Sequence, residues 1–171
     1  MAGHVVILGA GQAGLTTAQT LREAGHAGDI TLVGDEPAPP YQRPPLSKKF
    51  LAGELTADRL ELKPAAWFAA NHVRLLTGVR VDAIDRANRR LAHAGGEIAY
   101  DTLVLATGTR ARKPPIPGID LPGVHTLRDI ADVDRMRGAF VAGRRLVVIG
   151  GGYIGLEVAA VARGLGLEVV V

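Results

Sequence analysis

The sequence predicts a mixed α/β fold: a parallel-sheet unit carrying an antiparallel insertion, followed by the start of a second parallel-sheet unit. Three observations predict it. An apolar run, Val5-Val6-Ile7-Leu8, passes straight into Gly9-Ala10-Gly11-Gln12-Ala13-Gly14 and then into a helix-forming stretch. The same order of features recurs from Arg145 onward. Between the two, residues 79–100 switch to apolar–polar alternation with period two, the mark of half-buried antiparallel strands.

The opening run reads as a strand buried on both faces, because it is apolar without alternation. Residues 15–24 follow as a helix closed by Gly25. A second strand, Ile30-Thr31-Leu32-Val33, ends at Asp35, which lies 21 residues beyond Gly14. A GxGxxG set between a strand and a helix, with an acid at that distance, is the pattern that binds a dinucleotide. Gly9 allows the tight turn, Gly11 lets the backbone approach a pyrophosphate, and Gly14 lets helix and strand pack closely. The helix N-terminus then offers free N–H groups and a positive dipole end to the phosphates, while Asp35 accepts hydrogen bonds from a ribose.

After Asp35, residues 36–45 hold five of the ten prolines and form a stiff, extended loop. Residues 46–51 are expected as a short helix capped by Ser47 and stopped near Gly53. The loop follows the ribose-binding strand, at the carboxyl edge where ligands of such sheets sit, so Arg43 and Lys48 are in reach of the far end of a long cofactor. Residues 64–71 form another short helix, with Trp67 and Phe68 in the core, and Val73-Arg74-Leu75-Leu76 is a strand. Strands at 79–84, 90–94 and 97–100 make the antiparallel meander, with the last turn at Gly95-Gly96. His93 falls on its polar face, without a partner at metal-ligand spacing. Residues 101–108 are a buried strand ending in Ala106, Thr107 and Gly108, whose small side chains let a backbone come close to a ligand. A proline-containing loop leads to a short strand at 124–126 and to Arg128, and Asp129 caps a helix running to about residue 142. Residues 145–149 form a second buried strand, and Gly150-Gly151-Gly152-Tyr153-Ile154-Gly155 repeats the fingerprint. A helix at 156–165 and a strand at 167–171 follow. The chain is expected to stop inside this second domain, before the residue that reads the second ribose.

Composition narrows the classes. Hydrophobic residues make up 47%, charged residues 22% and aromatics 4%, which is a globular balance with a core. Arg outnumbers Lys by 16 to 4 and the net charge is +3, but no basic run is interleaved with aromatics, so nucleic acid is not expected as a partner. The absence of cysteine excludes disulfides, thiolate metal sites and a redox dithiol within this chain; no metal site is expected. No apolar run approaches spanning length, and the first strand leaves no room for a signal peptide, so a cytoplasmic protein without membrane association is expected.

Two fingerprints 141 residues apart (Gly9 to Gly150) imply two dinucleotides, and exchange of hydride between a nicotinamide and a flavin is the common reason to hold both. The set GAGQAG, GDE, PYQRPPLSK, LVLATGT, TLRDIADVD and VVIGGGYIGLEVAA resembles the FAD-dependent ferredoxin and rubredoxin reductase family, which includes the putidaredoxin, rhodocoxin and dioxygenase ferredoxin reductases and apoptosis-inducing-factor-like proteins. The likeness spans the whole chain and corresponds to the N-terminal part of such proteins. It implies a Rossmann-like FAD-binding domain over residues 1–113, a connecting segment and helix over 114–143, and the start of a Rossmann-like NAD(P)-binding domain over 144–171. It implies FAD and NAD(P)H as cofactors, and a [2Fe-2S] ferredoxin or similar small electron acceptor as partner, serving an oxygenase.

The resemblance also implies residue roles. Gly9, Gly11, Ala13 and Gly14 would contact the FAD pyrophosphate and Asp35 the adenosine ribose. Arg43 and Lys48 match basic residues near the pyrophosphate and the isoalloxazine. Val81 would lie against adenine, Ala106, Thr107 and Gly108 would pass close to the cofactor, and Arg128 matches a further flavin contact. Gly150, Gly152, Ile154 and Gly155 would form the nicotinamide dinucleotide site. Glu157 matches an acid that pairs with Lys48 beside the flavin N5, the two being the catalytic pair. The alternatives are an NADH oxidase or nitrite reductase-type flavoprotein, or, in another class, an inactive fragment or FAD-binding module.

Overall fold

The computed structural model describes residues 3–171. The chain divides into two compact units, one with the residues up to Tyr41 and Glu61–Thr109, the other with Gln42–Leu60 and Arg110–Val171.

The first unit contains β1 (Val5–Leu8), α1 (Gln12–Glu23), β2 (Ile30–Val33), α2 (Ala65–Ala70), β3 (Val73–Leu76), β4 (Val81–Asp85), β5 (Arg90–His93), β6 (Gly96–Ala99) and β7 (Thr102–Leu105). β3, β2, β1 and β7 lie in that order in one all-parallel sheet. Its two faces are covered by different means. Ile7 and Leu32 pack with Leu15 and Ala18 of α1 and Phe68 of α2, while Val6 and Val33 pack with Leu91, Val81 and Ile98 of the meander. Covering both faces is what lets β1 and β2 be apolar at every position. Each fully buried Ile or Leu contributes about 1.5–3 kcal/mol.

Local chemistry sets the ends of α1. Gly11 stands at its N-cap in extended backbone, and Gly25 takes φ +83° just past its C-terminus. Arg22 in the last turn then ties three segments together. Its guanidinium donates to the carbonyls of His26 (2.5 Å), Gly28 (2.7 Å), Asn71 (2.8 Å) and His72 (2.8 Å). His72 is itself at φ +50°, a conformation most side chains avoid, so the turn into β3 is held by bonds to its carbonyls.

Three expectations for this unit change. The last meander turn is Ala94-Gly95 rather than Gly95-Gly96, since His93 pairs with Gly96, which takes φ +130° as the first residue of β6. The strand at 102–105 is not buried: Leu105 is 61% exposed, because β7 is an edge strand with one neighbour. Of the two aromatics assigned to the core, Phe68 is buried, whereas Trp67 is half-buried with the Lys63 ammonium over its ring.

The second unit contains a 3₁₀ turn at Pro44–Ser47, another at Ala57–Leu60, α3 (Ile130–Arg137), β8 (Arg145–Val147), α4 (Tyr153–Gly164) and β9 (Glu168–Val170). β8 and β9 pair in parallel, and α4 buries Val158, Ala159 and Ala162. A capping box starts α3: the Asp129 carboxylate accepts from the Asp132 N–H, and Asp132 reaches back to the Asp129 N–H.

Here too the structure corrects the sequence. No helix forms over 46–51; Pro44 and Pro45 open a 3₁₀ turn instead, and Ser47 is its last residue, not a cap. Residues 124–126 form no strand. α3 ends at Arg137 rather than near 142, with Gly138 as its C-cap. The strand expected to be buried at 145–149 stops at Val147, which is 61% exposed, because the two-stranded ladder has no further strand in this unit. The second helix starts at Tyr153, three residues before the expected start.

Candidate functional site

In the first unit the register brings the carboxyl ends of three strands level: Leu8 pairs with Val33 on one side and with Leu105 on the other. The residues that follow continue the alignment. Gly9 N–H donates to Val33 (2.7 Å), Ala106 N–H to Leu8 (2.8 Å), and Val79 N–H to Gly34 (2.8 Å). Gly9, Gly11, Ala13 and Gly14 are thus assembled with Asp35, Ala106, Thr107 and Gly108, and the segment entering β4 at Val81 joins the same edge.

The glycines of this edge are required for different reasons. At Gly9, where φ is +119°, an added Cβ would lie 2.1 Å from the Ala106 oxygen; at Gly14 it would lie 1.9 Å from the Gly9 oxygen. Both are demanded by packing. At Gly11 a Cβ would meet nothing within 4 Å, and its backbone is one any residue adopts. No protein atom requires a glycine there. The open space lies before the first turn of α1, whose leading N–H groups receive no side-chain cap and which carries no acid, among the described residues. That is a cradle suited to an anion with close backbone approach. Gly34 was passed over in the sequence, yet a Cβ on it would meet the Ala10 Cβ at 2.6 Å, so it keeps Asp35 beside the glycine turn.

The fingerprint of the second unit repeats the distinction. A Cβ on Gly155 would meet the Val148 Cγ1 at 2.9 Å and the Gly150 oxygen at 3.2 Å, whereas Gly152, at the N-cap of α4, faces open space.

A hollow of about 270 Å³ in the second unit is lined by Arg43, Ser47, Lys48, Arg128, Ile154 and Glu157, with apolar walls from Leu46 and Leu127. Lys48 Nζ lies 2.8 Å from Glu157 Oε1, and Ser47 Oγ donates to Glu157 Oε2 at 2.5 Å. The Lys48 hydrogen bond, and after it that of Ser47, holds the Glu157 carboxyl below its ordinary range. Arg43 donates to the Arg128 carbonyl at 2.8 Å, and the Arg128 N–H donates to Asp132 Oδ2 at 2.6 Å. Asp132, 8% exposed, also accepts from Arg135. Five residues singled out in the sequence (Arg43, Lys48, Arg128, Ile154 and Glu157) therefore meet in one place. Ser47 and Asp132 were missed in this role. Ser47 stood next to Lys48 in the motif, but its expected use as a cap hid it; Asp132 could have been found from its place three residues after the expected cap Asp129, where a capping box puts its second member. Among the described residues, no group of three acidic or His side chains is placed to hold a metal, and no helix is long and apolar enough to cross a membrane.

The chain is similar to known proteins over nearly all of its length. A chain described as a probable ferredoxin reductase of Castellaniella defragrans is 50% identical over 170 residues, covering 98% of this chain and 41% of the relative. The ferredoxin–NAD(+) reductase component of the biphenyl dioxygenase system of Paraburkholderia xenovorans is 46% identical over 172 residues, covering 100% and 42%. Among solved structures, that of the covalent putidaredoxin reductase–putidaredoxin complex matches with a TM-score of 0.89 at 44% identity, over 98% of this chain and 41% of that one. The chain thus spans about two-fifths of the length of the relatives it matches. Residues 3–171 match the family described as Pyridine nucleotide-disulphide oxidoreductase, and with both glycine cradles in place the chain belongs to that family.

Proposed function

We propose that this chain provides the flavin site and the beginning of the nicotinamide site of an NAD(P)H-dependent, FAD-containing ferredoxin reductase of the cytoplasm. The observation that carries the proposal is Gly11. It is a glycine that neither backbone conformation nor protein packing requires, beside an uncapped helix N-terminus, and so it fits a bound pyrophosphate. Gly152 fits a second dinucleotide for the same reason. Residues 1–113 serve the flavin, 144–171 begin the nicotinamide site, and 114–143 connect them.

In the first unit, Gly9, Gly11, Ala13 and Gly14 bind the FAD pyrophosphate, Asp35 the ribose and Val81 the adenine, with Ala106, Thr107 and Gly108 lining the approach. In the second, Arg43 and Arg128 supply cationic contacts, and Lys48 with Glu157 forms the catalytic pair. Gly150, Gly152, Ile154 and Gly155 hold the nicotinamide dinucleotide. When bound, these cofactors supply hydride transfer from nicotinamide to flavin and the release of single electrons outward. Lys48 offers a cation to a flavin that gains negative charge, and Glu157 tempers it. With no cysteine in the chain, no dithiol here can take the electrons, which favours direct delivery to a small iron–sulfur acceptor. The names of the ferredoxin reductase relatives support a [2Fe-2S] ferredoxin serving an oxygenase as that acceptor.

The test is the visible spectrum of the purified full-length protein before and after anaerobic NADH. A flavin spectrum that bleaches is expected. A flavin that stays oxidised would remove the nicotinamide half of the proposal, and a colourless protein that takes up no added FAD would overturn it.

A further inference from the structure

We propose that Ser47 is a positioning residue for Glu157: its buried hydroxyl fixes the orientation of the carboxylate with which Lys48 pairs. The inference rests on the flavin reading above and assigns the part that holds its Lys48–Glu157 pair in place.

The two partners of Glu157 are unlike. Lys48 is 49% exposed, sits on a flexible stem, and also reaches the Pro44 carbonyl at 3.2 Å. An exposed amine with two acceptors in reach holds neither rigidly. Ser47 is 4% exposed and ends a turn whose backbone Pro44 and Pro45 restrict. Its side chain has one rotatable carbon bond, and its hydroxyl donates to Glu157 Oε2 at 2.5 Å. The carboxylate therefore has one oxygen anchored from the protein side and the other turned to the cation. Hydrogen bonds to an ionised acceptor are short and stronger than neutral ones, and a buried hydroxyl without an acceptor is costly. Both effects favour one Glu157 orientation. Removing the hydroxyl leaves Glu157 with only its mobile partner, in a hollow whose other facing charges are Arg43 and Arg128.

The experiment is a carbon-13 NMR titration of the Glu157 carboxyl in the flavin-free full-length protein, alongside NADH reduction of the flavin in the loaded protein. In S47A the Glu157 titration is expected to move up from wild type, because a bond that favours the charged form is lost. S47T, which keeps the hydroxyl, should stay near wild type, and S47C, with a similar volume and a weak donor, should move in the direction of S47A. Flavin reduction should slow about three- to tenfold in S47A, recover in S47T, and show no Ser47 dependence in an E157Q background. A Glu157 titration that S47A and S47C leave unchanged would overturn the inference, as would S47T matching S47C. If S47A does not fold, the S47T and S47C pair decides alone. A protein that shows the expected titration shifts but is not reduced by NADH would instead refute the flavin reading, since the carboxyl is read with no flavin present.

Discussion

Glycines that share one motif answer to different masters at the residue scale. A methyl on Gly14 would overlap the Gly9 backbone oxygen at 1.9 Å and press on the buried Leu32 Cδ1 at 3.0 Å. Gly14→Ala is expected to lose about 1–3 kcal/mol or more, as overpacked sites do, and urea unfolding reads it directly. Gly11→Ala places its methyl in open space, so stability should stay within about 1 kcal/mol of wild type while flavin affinity falls. Wild-type flavin binding by Gly11→Ala would show that the space is not the pyrophosphate cradle. The Lys48–Glu157 contact makes a pH prediction at the same scale. The Glu157 carboxyl is lowered in the folded chain, chiefly by Lys48 and then by Ser47. The unfolded chain therefore takes up the proton first, so the contact's stabilisation is present above the ordinary carboxyl range and is lost as pH falls through the lowered value. Thermal melting from about pH 7 to about pH 3 should show a larger loss in wild type than in E157Q. Equal losses would mean that the pair makes no net contribution.

At the scale of elements, caps and clamps decided where the regular structure stops. α1 ends where the sequence indicates, because Gly25 supplies the positive φ that a helix end requires. What the sequence does not show is that Arg22 then donates four hydrogen bonds from that last turn to carbonyls of two other segments. R22A should cost about 2–4 kcal/mol and R22K should recover less than half of it, since an ammonium cannot reproduce the planar fork. Chemical denaturation of the three proteins checks it, and an R22K as stable as wild type would mean that the fork geometry is not what matters. The same scale explains the failed helix at 46–51. Its apolar spacing is helical and prolines are tolerated in a first turn, but the backbone of Lys48 (φ −125°, ψ −117°) leaves the helical region, so the turn ends at Ser47, whose hydroxyl donates to Glu157 instead of capping a helix. β7 and β8 were read as buried because their residues are apolar, yet burial depends on how many neighbours a strand acquires, and each has one.

For the whole molecule, the sequence by itself determined the α/β class, the parallel character of the first sheet, the meander and both glycine fingerprints. These follow from short-range rules: period, turn residues, and glycine where backbones approach. It also singled out Arg43, Lys48 and Glu157, through their place in recognisable motifs, and these line one hollow in the structure. Tertiary structure alone decided that the meander covers one face of the parallel sheet, with α1 and α2 on the other. It also decided that Ser47 and Glu157, 110 residues apart, share a hydrogen bond. Contacts between residues far apart in the chain leave no trace in local pattern, because any acid looks alike until the fold sets which one a distant hydroxyl faces.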